Sequence, residues 1–95
     1  MPFQVIDIKA IIAEELKDPV FAEHYARYAL EYELIAQLVS SRKRKNMTQD
    51  ELASRSGVKQ QVISRLERHQ VFPNLSTLAK LAKALDLKIT MIETQ

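Results

Sequence analysis

A single glycine, Gly57, and three prolines, Pro2, Pro19 and Pro73, are all that punctuate the 95 residues of this chain. Hairpin-rich sheet needs glycine at its tight turns, so this scarcity favours long helices and predicts a nearly all-α protein. The length fits one domain, or a small domain with an arm, and excludes two full domains. A chain this short hides only about 60–65% of its unfolded surface, so its stability is modest unless it oligomerises. Without cysteine there are no disulfides, thiol chemistry or thiolate metal sites, which suits a reducing cytoplasm. Met1 to Asp18 mixes charges among its apolar residues, and neither a signal peptide nor a membrane span is expected there.

The helices can be placed from their punctuation. Ile8, Ile11, Ile12 and Leu16 share one helical stripe behind Asp7, a natural N-cap, which predicts a first helix over roughly Asp7 to Lys17. Asp18-Pro19 restarts the chain, because proline at the first helical position loses no hydrogen bond and already has a helical φ. The second helical stretch runs from Pro19 to about Arg44, as one helix or two. Phe21, Tyr25, Tyr28, Tyr32, Ile35 and Val39 form one stripe along it and are expected to be core, the alternative being a surface kept for a protein partner. Leu30, Leu34 and Leu38 lie opposite, so burial on both sides is expected from Leu30 onward.

Thr48-Gln-Asp-Glu51 reads as a capping box that opens a third helix, and Gly57 closes it in the left-handed conformation. A fourth helix is expected from about Lys59 to Arg68. Phe72-Pro73 then breaks the chain, and Asn74 caps a fifth helix whose buried face is Leu75, Leu78, Leu81, Ala82 and Leu85. Beyond it the period becomes two: Leu87, Ile89 and Met91 alternate with Lys88 and Thr90, a short strand pattern. One strand cannot stand alone. It must pair with a twin, with a partner's sheet or with another strand, or remain an extended tail.

The net charge of +2 conceals an asymmetry. Residues 1–40 carry three basic and seven acidic side chains, a net of −4, whereas residues 41–95 carry eleven and five, a net of +6. Two surfaces with different partners are implied, the basic one being a nucleic-acid candidate.

Between Gln49 and Leu66 the spacing is specific. Leu52 and Ala53 lie on the third helix, Gly57 in the turn, Val58 after it, and Val62, Ile63 and Leu66 on the fourth. Ala53 is small where two helices cross closely, Gly57 turns the chain sharply, and the apolar positions fix the steep crossing angle. This is a helix-turn-helix. Thr48-Gln-Asp-Glu-Leu-Ala-Ser-Arg-Ser-Gly-Val-Lys-Gln-Gln-Val-Ile-Ser-Arg-Leu-Glu67, with Pro73-Asn-Leu-Ser-Thr-Leu78 and Leu81-Ala-Lys-Ala-Leu85, resembles the phage Cro/repressor-like (XRE) family over roughly Glu33 to Leu87. The resemblance implies a five-helix bundle, here with an acidic helical extension over residues 1–32 and a DNA-binding domain with a C-terminal tail over 33–95. Chains of that plan look like HigA-type antitoxins of toxin–antitoxin modules. His69 and Asp86 depart from the pattern, standing where the family usually has glycine.

A recognition helix reads bases through its N-terminal end in the major groove. Gln60 and Gln61 stand there, and glutamine can bond adenine N6 and N7 together; the resemblance implies base readout by both, with Arg65 one turn beyond reaching guanine or phosphate. Gln49 resembles the family's phosphate-clamping glutamine at the start of the preceding helix. Lys43, Arg44, Lys45, Thr48, Lys59, Ser64 and Arg68 are the further phosphate candidates, with His69 and Asn74 weaker ones. The family often pairs an arginine and a glutamate at the positions of Arg42 and Glu67, which implies a structural ion pair rather than a DNA contact.

Catalysis has no support: His24 and His69 are far apart, no His-Glu-x-x-His or cysteine cluster exists, and one glycine cannot build a phosphate loop. No enzyme activity, metal or cofactor is expected. The resemblance implies a cytoplasmic homodimer that binds a palindromic operator in double-stranded DNA and represses its own operon. Its acidic extension, with Glu14, Glu15, Phe21, Glu23, Tyr25 and Tyr28 as candidate contacts, would hold a cognate basic ribonuclease toxin. A stand-alone regulator whose N-terminal helices serve only dimerisation is the alternative, and an interaction bundle without DNA binding is a third reading.

Overall fold

The computed structural model describes residues 7–94 and is all-α. Its five helices are α1 (Ile8–Glu15), α2 (Pro19–Arg44), α3 (Gln49–Ser56), α4 (Gln60–Glu67) and α5 (Leu75–Ala84). Residues 1–6, which belong to the expected extension, lie outside the described residues.

Side-chain caps start the helices. The Ala10 amide donates to Asp7 Oδ1 at 3.1 Å, and the Val20 amide donates to Asp18 Oδ1 at 2.9 Å beside the helix-opening Pro19. From there α2 continues unbroken for 26 residues to Arg44, which resolves the choice between one helix and two. Arg42, Lys43 and Arg44 occupy its last turn, where positive charge complements the helix dipole. Asn74 accepts from the Thr77 amide at 2.8 Å and starts α5.

Three helices end in one motif without using glycine. After α2 the Asn46 amide donates to the Lys43 carbonyl and the Met47 amide to that of Arg42; after α4 His69 donates to Leu66 and Gln70 to Arg65; after α5 Asp86 donates to Lys83 and Leu87 to Ala82. These paired bonds are Schellman caps, and each requires a left-handed residue, supplied by Asn46 (φ 52°), His69 (φ 59°) and Asp86 (φ 57°). The two departures from glycine therefore keep the backbone glycine would have had. Only α3 closes on glycine, Gly57 at φ 76°.

The chain divides into compact units Met1–Glu31 and Tyr32–Gln95. The second holds the core: Ile35, Leu38, Met47, Leu52, Val58, Ile63, Leu66, Leu78, Leu81 and Leu85, with Ala53, Val62 and Leu87 half-buried against it. Within it α3 packs on both α4 and α5.

Two expectations of burial are corrected, that of the α2 stripe and that of Leu75, which is 72% exposed in the first turn of α5 while Leu78, Leu81, Ala82 and Leu85 are buried. Of the aromatic stripe on α2, only Ile35 is buried and Val39 partly so; Phe21 is half-buried, while Tyr25, Tyr28 and Tyr32 stay exposed, Tyr28 at 58%. Leu30 is likewise exposed, so two-sided burial begins at Leu34 and Leu38. A 3.6-residue period identifies a face but not whether anything covers it. Of the alternatives left open for the alternation after Leu87, the extended tail is the one adopted: it forms no strand among the described residues, because a lone strand has no ladder to join. Leu87 packs on the core and the rest continues as a tail. Among the described residues, no helix is long and apolar enough to cross a membrane.

Candidate nucleic-acid interface

The site is built on the capping box. The Glu51 amide donates to Thr48 Oγ1 at 3.0 Å and the Thr48 amide donates to Glu51 Oε1 at 3.2 Å, which fixes the start of α3 and places Gln49 at its first position. Gly57 turns the corner, Val58 enters the core, and α4 begins at Gln60 behind Lys59, whose side chain makes no cap. The first N–H groups of α4 are therefore left open toward solvent or a ligand.

A chain of hydrogen bonds joins these elements. Arg42 donates through Nε to Glu67 Oε2 at 2.7 Å, through one terminal nitrogen to Glu67 Oε1 at 2.8 Å and through the other to the Met47 carbonyl at 2.7 Å. Gln49 Nε2 donates to Glu67 Oε1 at 3.0 Å, and Gln60 Nε2 donates to Gln49 Oε1 at 2.8 Å. The ionised carboxylate only accepts, so the Gln49 amide must turn its nitrogen toward Glu67 and its oxygen toward Gln60. That choice orients Gln60 in turn, leaving its oxygen and one N–H uncommitted. One acceptor beside one donor is the pair that adenine N6 and N7 require. The bidentate pair is mostly buried, and the hydrogen bond to Glu67, followed by its charge, raises the Arg42 pKa against the opposing effect of burial.

The remaining candidates divide by their partners. Gln61, Lys59, Lys43 and Arg65 are exposed and make no side-chain hydrogen bond among the described residues, with Arg65 one turn beyond Gln61. Arg44 donates to Ser40 Oγ at 2.9 Å, and Arg68 Nε reaches the Ser64 carbonyl at 3.3 Å, while Ser64 itself is half-buried. Lys45 lies elsewhere. Its ammonium donates to the Leu85 carbonyl and sits 3.9 Å from Asp86, at the C-terminal end of α5. Asn74 is occupied as a cap, and His69 stacks on Tyr32 with ring centroids 4.1 Å apart and planes within 8°.

In the first unit, Glu14 is paired with Lys17 at 2.9 Å, both well exposed, and Glu15 and Glu23 are exposed. Phe21 stacks on Tyr25 at 6.0 Å, and Tyr28 is open. No group of acidic or histidine side chains among the described residues could hold a metal ion.

Several of these links escape a reading by periodicity. The Gln49–Glu67, Gln49–Gln60 and Tyr32–His69 contacts join residues 18, 11 and 37 positions apart. Gln49, Gln60, Glu67 and His69 stand at or beside helix ends, where chains from several elements converge, whereas Tyr32 lies midway along α2 and carries no such signal.

Comparison with known proteins gives a consistent picture. A helix-turn-helix family model matches residues 40–92. An uncharacterized HTH-type transcriptional regulator of Haemophilus influenzae is 35% identical over 79 residues, covering 82% of this chain and 81% of that protein. Antitoxin HigA1 of Mycobacterium tuberculosis is 33% identical over 87 residues, covering 90% of this chain and 58% of that protein. A second HTH-type regulator, from Sinorhizobium fredii, is 44% identical over 55 residues, 58% of this chain and 28% of its own length. The chain thus spans little more than half the length of the antitoxin. No solved structure matches.

Proposed function

This chain belongs to the helix-turn-helix family and is a DNA-binding regulator rather than an enzyme, and on that premise we propose that it is the antitoxin of a type II toxin–antitoxin module. It acts in the cytoplasm as a homodimer on a palindromic operator of its own operon. Gln60, Gln61 and Arg65 read bases. Gln49, Lys43, Arg44, Thr48, Lys59, Ser64 and Arg68 hold the phosphates. Lys45 is a phosphate ligand only if it leaves the Leu85 carbonyl.

The observation that carries the DNA-binding half is the Arg42–Glu67–Gln49–Gln60 chain, which holds the first residue of α4 ready before any ligand arrives. Preorganisation of this kind lowers the entropy cost of binding. Two half-sites about 10–10.5 base pairs apart, or a multiple, are expected, with affinity falling steeply as salt rises.

The toxin half is supported by the open acidic and aromatic surface of α1 and early α2, where Glu14, Glu15, Glu23, Phe21, Tyr25 and Tyr28 suit a basic ribonuclease. The relative named as an antitoxin, aligned over 90% of this chain, points the same way. Two other relatives are named as transcriptional regulators, which favours a stand-alone regulator as the second reading. Co-purification with the product of the adjacent gene decides between them. A small basic protein that comes down with the chain, and is released by Tyr25→Asp with Tyr28→Asp, supports the antitoxin. A chain that shifts its own promoter DNA but captures nothing is a regulator alone.

A further inference from the structure

The tail after α5 is an apolar element without a partner. Leu87 packs on the core, but Ile89 is 47% exposed, Met91 98% and Ile92 81%. Among the described residues no backbone hydrogen bond reaches residues 88–94. The tail borders a groove of about 310 Å³ whose walls include Leu34 and Leu38 of α2 and Leu78 and Ala82 of α5. An unpaired segment alternating apolar and polar residues is a template for another strand.

We propose that this segment pairs with the same segment of a second copy, as an antiparallel two-stranded ribbon centred on Ile89, whose apolar face closes the groove of each copy. The proposal rests on the homodimer reading above and assigns its interface. A two-fold axis through an antiparallel pair places one residue opposite itself, so the choices of register are few. Centring on Lys88 sets two ammonium groups face to face, which is destabilising. Centring on Thr90 puts Leu87 opposite the partner's Glu93, and centring on Met91 puts Ile89 opposite it. Centring on Ile89 alone gives every apolar residue of the face an apolar neighbour: Leu87 meets the partner's Met91, Ile89 meets the partner's Ile89, and Lys88 meets the partner's Thr90. A two-stranded ribbon by itself is marginal in water, and the groove between α2 and α5 supplies the apolar layer it needs. Because Leu87 already touches the core, the partner's Met91 would extend that core across the axis.

Sedimentation of the full-length chain and of Met91→Asp tests the interface, since a residue this exposed can be changed without disturbing the protomer. The expected result is a wild-type dimer and a rise of at least about 100-fold in the dimer dissociation constant, from two lost methionine burials, with helical circular dichroism unchanged. The register is read separately with Ile89→Cys, because the chain has no cysteine of its own. Mild oxidation should link Ile89→Cys across the axis. Met91→Cys should not link, because its two copies lie on the order of 13 Å apart in this register. A wild-type dimer that Met91→Asp leaves equally tight overturns the tail interface while the homodimer reading stands. A wild-type monomer overturns both, and equal cross-linking of the two cysteine variants overturns the register.

Discussion

The Gln60 side-chain amide donates to Gln49 Oε1 at 2.8 Å, so the residue proposed to read a base and the residue proposed to hold a phosphate are joined in the free chain. The bond runs between the first positions of α3 and α4. It makes the two halves of the helix-turn-helix one polar unit, and its energetic coupling can be measured.

Gln49→Ala and Gln60→Ala should not be additive in their effect on operator binding. A double-mutant cycle is expected to give a coupling of about 0.5–3 kcal/mol, as for residues in one hydrogen-bond network. Fluorescence anisotropy on labelled operator measures it. Strict additivity would show that the two amides act independently on DNA.

Replacing Gln60 or Gln61 by alanine should relax preference at one or two base pairs, at about 1–3 kcal/mol per lost bidentate contact. Lys43→Ala should instead weaken all sequences alike and reduce the salt slope by about one. Competition against operators varied at single positions separates the two patterns. A Gln60, Gln61 double alanine variant with unaltered specificity would remove both from base readout.

Glu67→Ala should destabilise the domain by about 3 kcal/mol, because it leaves the mostly buried Arg42 guanidinium without its carboxylate. Replacing both partners by apolar residues, Arg42→Met with Glu67→Leu, should cost less than Glu67→Ala alone. Urea unfolding monitored by circular dichroism gives both values. A double variant worse than the single one contradicts this account.

Helix ends were the legible part of this chain because each is marked by a residue whose side chain or backbone dictates it. Thr48 and Glu51, Gly57, Asp7, Pro19 and Asn74 all stand at the boundaries that they predict. Burial on α2 was not legible, since Phe21, Tyr25 and Tyr28 have the same period whether or not something covers them. Hydrogen-bond partners were the least legible. Lys45 belongs to a basic run that reads as a phosphate grip, yet its ammonium lies on the Leu85 carbonyl 40 residues away. Nothing local in Lys43-Arg44-Lys45 distinguishes the three.

Left-handed positions give a pair of opposite signs. Gly57→Ala should destabilise by about 1 kcal/mol from backbone conformation alone, since an added Cβ would meet nothing within 4 Å. Asp86→Gly should stabilise by a few tenths to about 1 kcal/mol, because it relieves a left-handed residue with only a distant ion pair to lose. Thermal unfolding of the two variants tests both signs. His69→Gly should gain less than Asp86→Gly, because it also loses the stack on Tyr32.

Ser41 is fully buried in the core and its hydroxyl finds no partner among the described residues. Ser41→Ala removes an unsatisfied group and should raise stability by about 1 kcal/mol. A loss of stability would show that the hydroxyl is satisfied in solution.

Glu67 serves two masters, the packing arginine and the phosphate-side glutamine, and this divides the surface into parts that can and cannot evolve freely. A change at Glu67 therefore disturbs the fold and the proposed DNA grip in one step. Gln61 and Arg65 have no hydrogen-bonded obligation to the rest of the chain among the described residues. Under the proposed base readout, substitutions at those two positions retune which DNA sequence is read while the scaffold beneath them stays fixed.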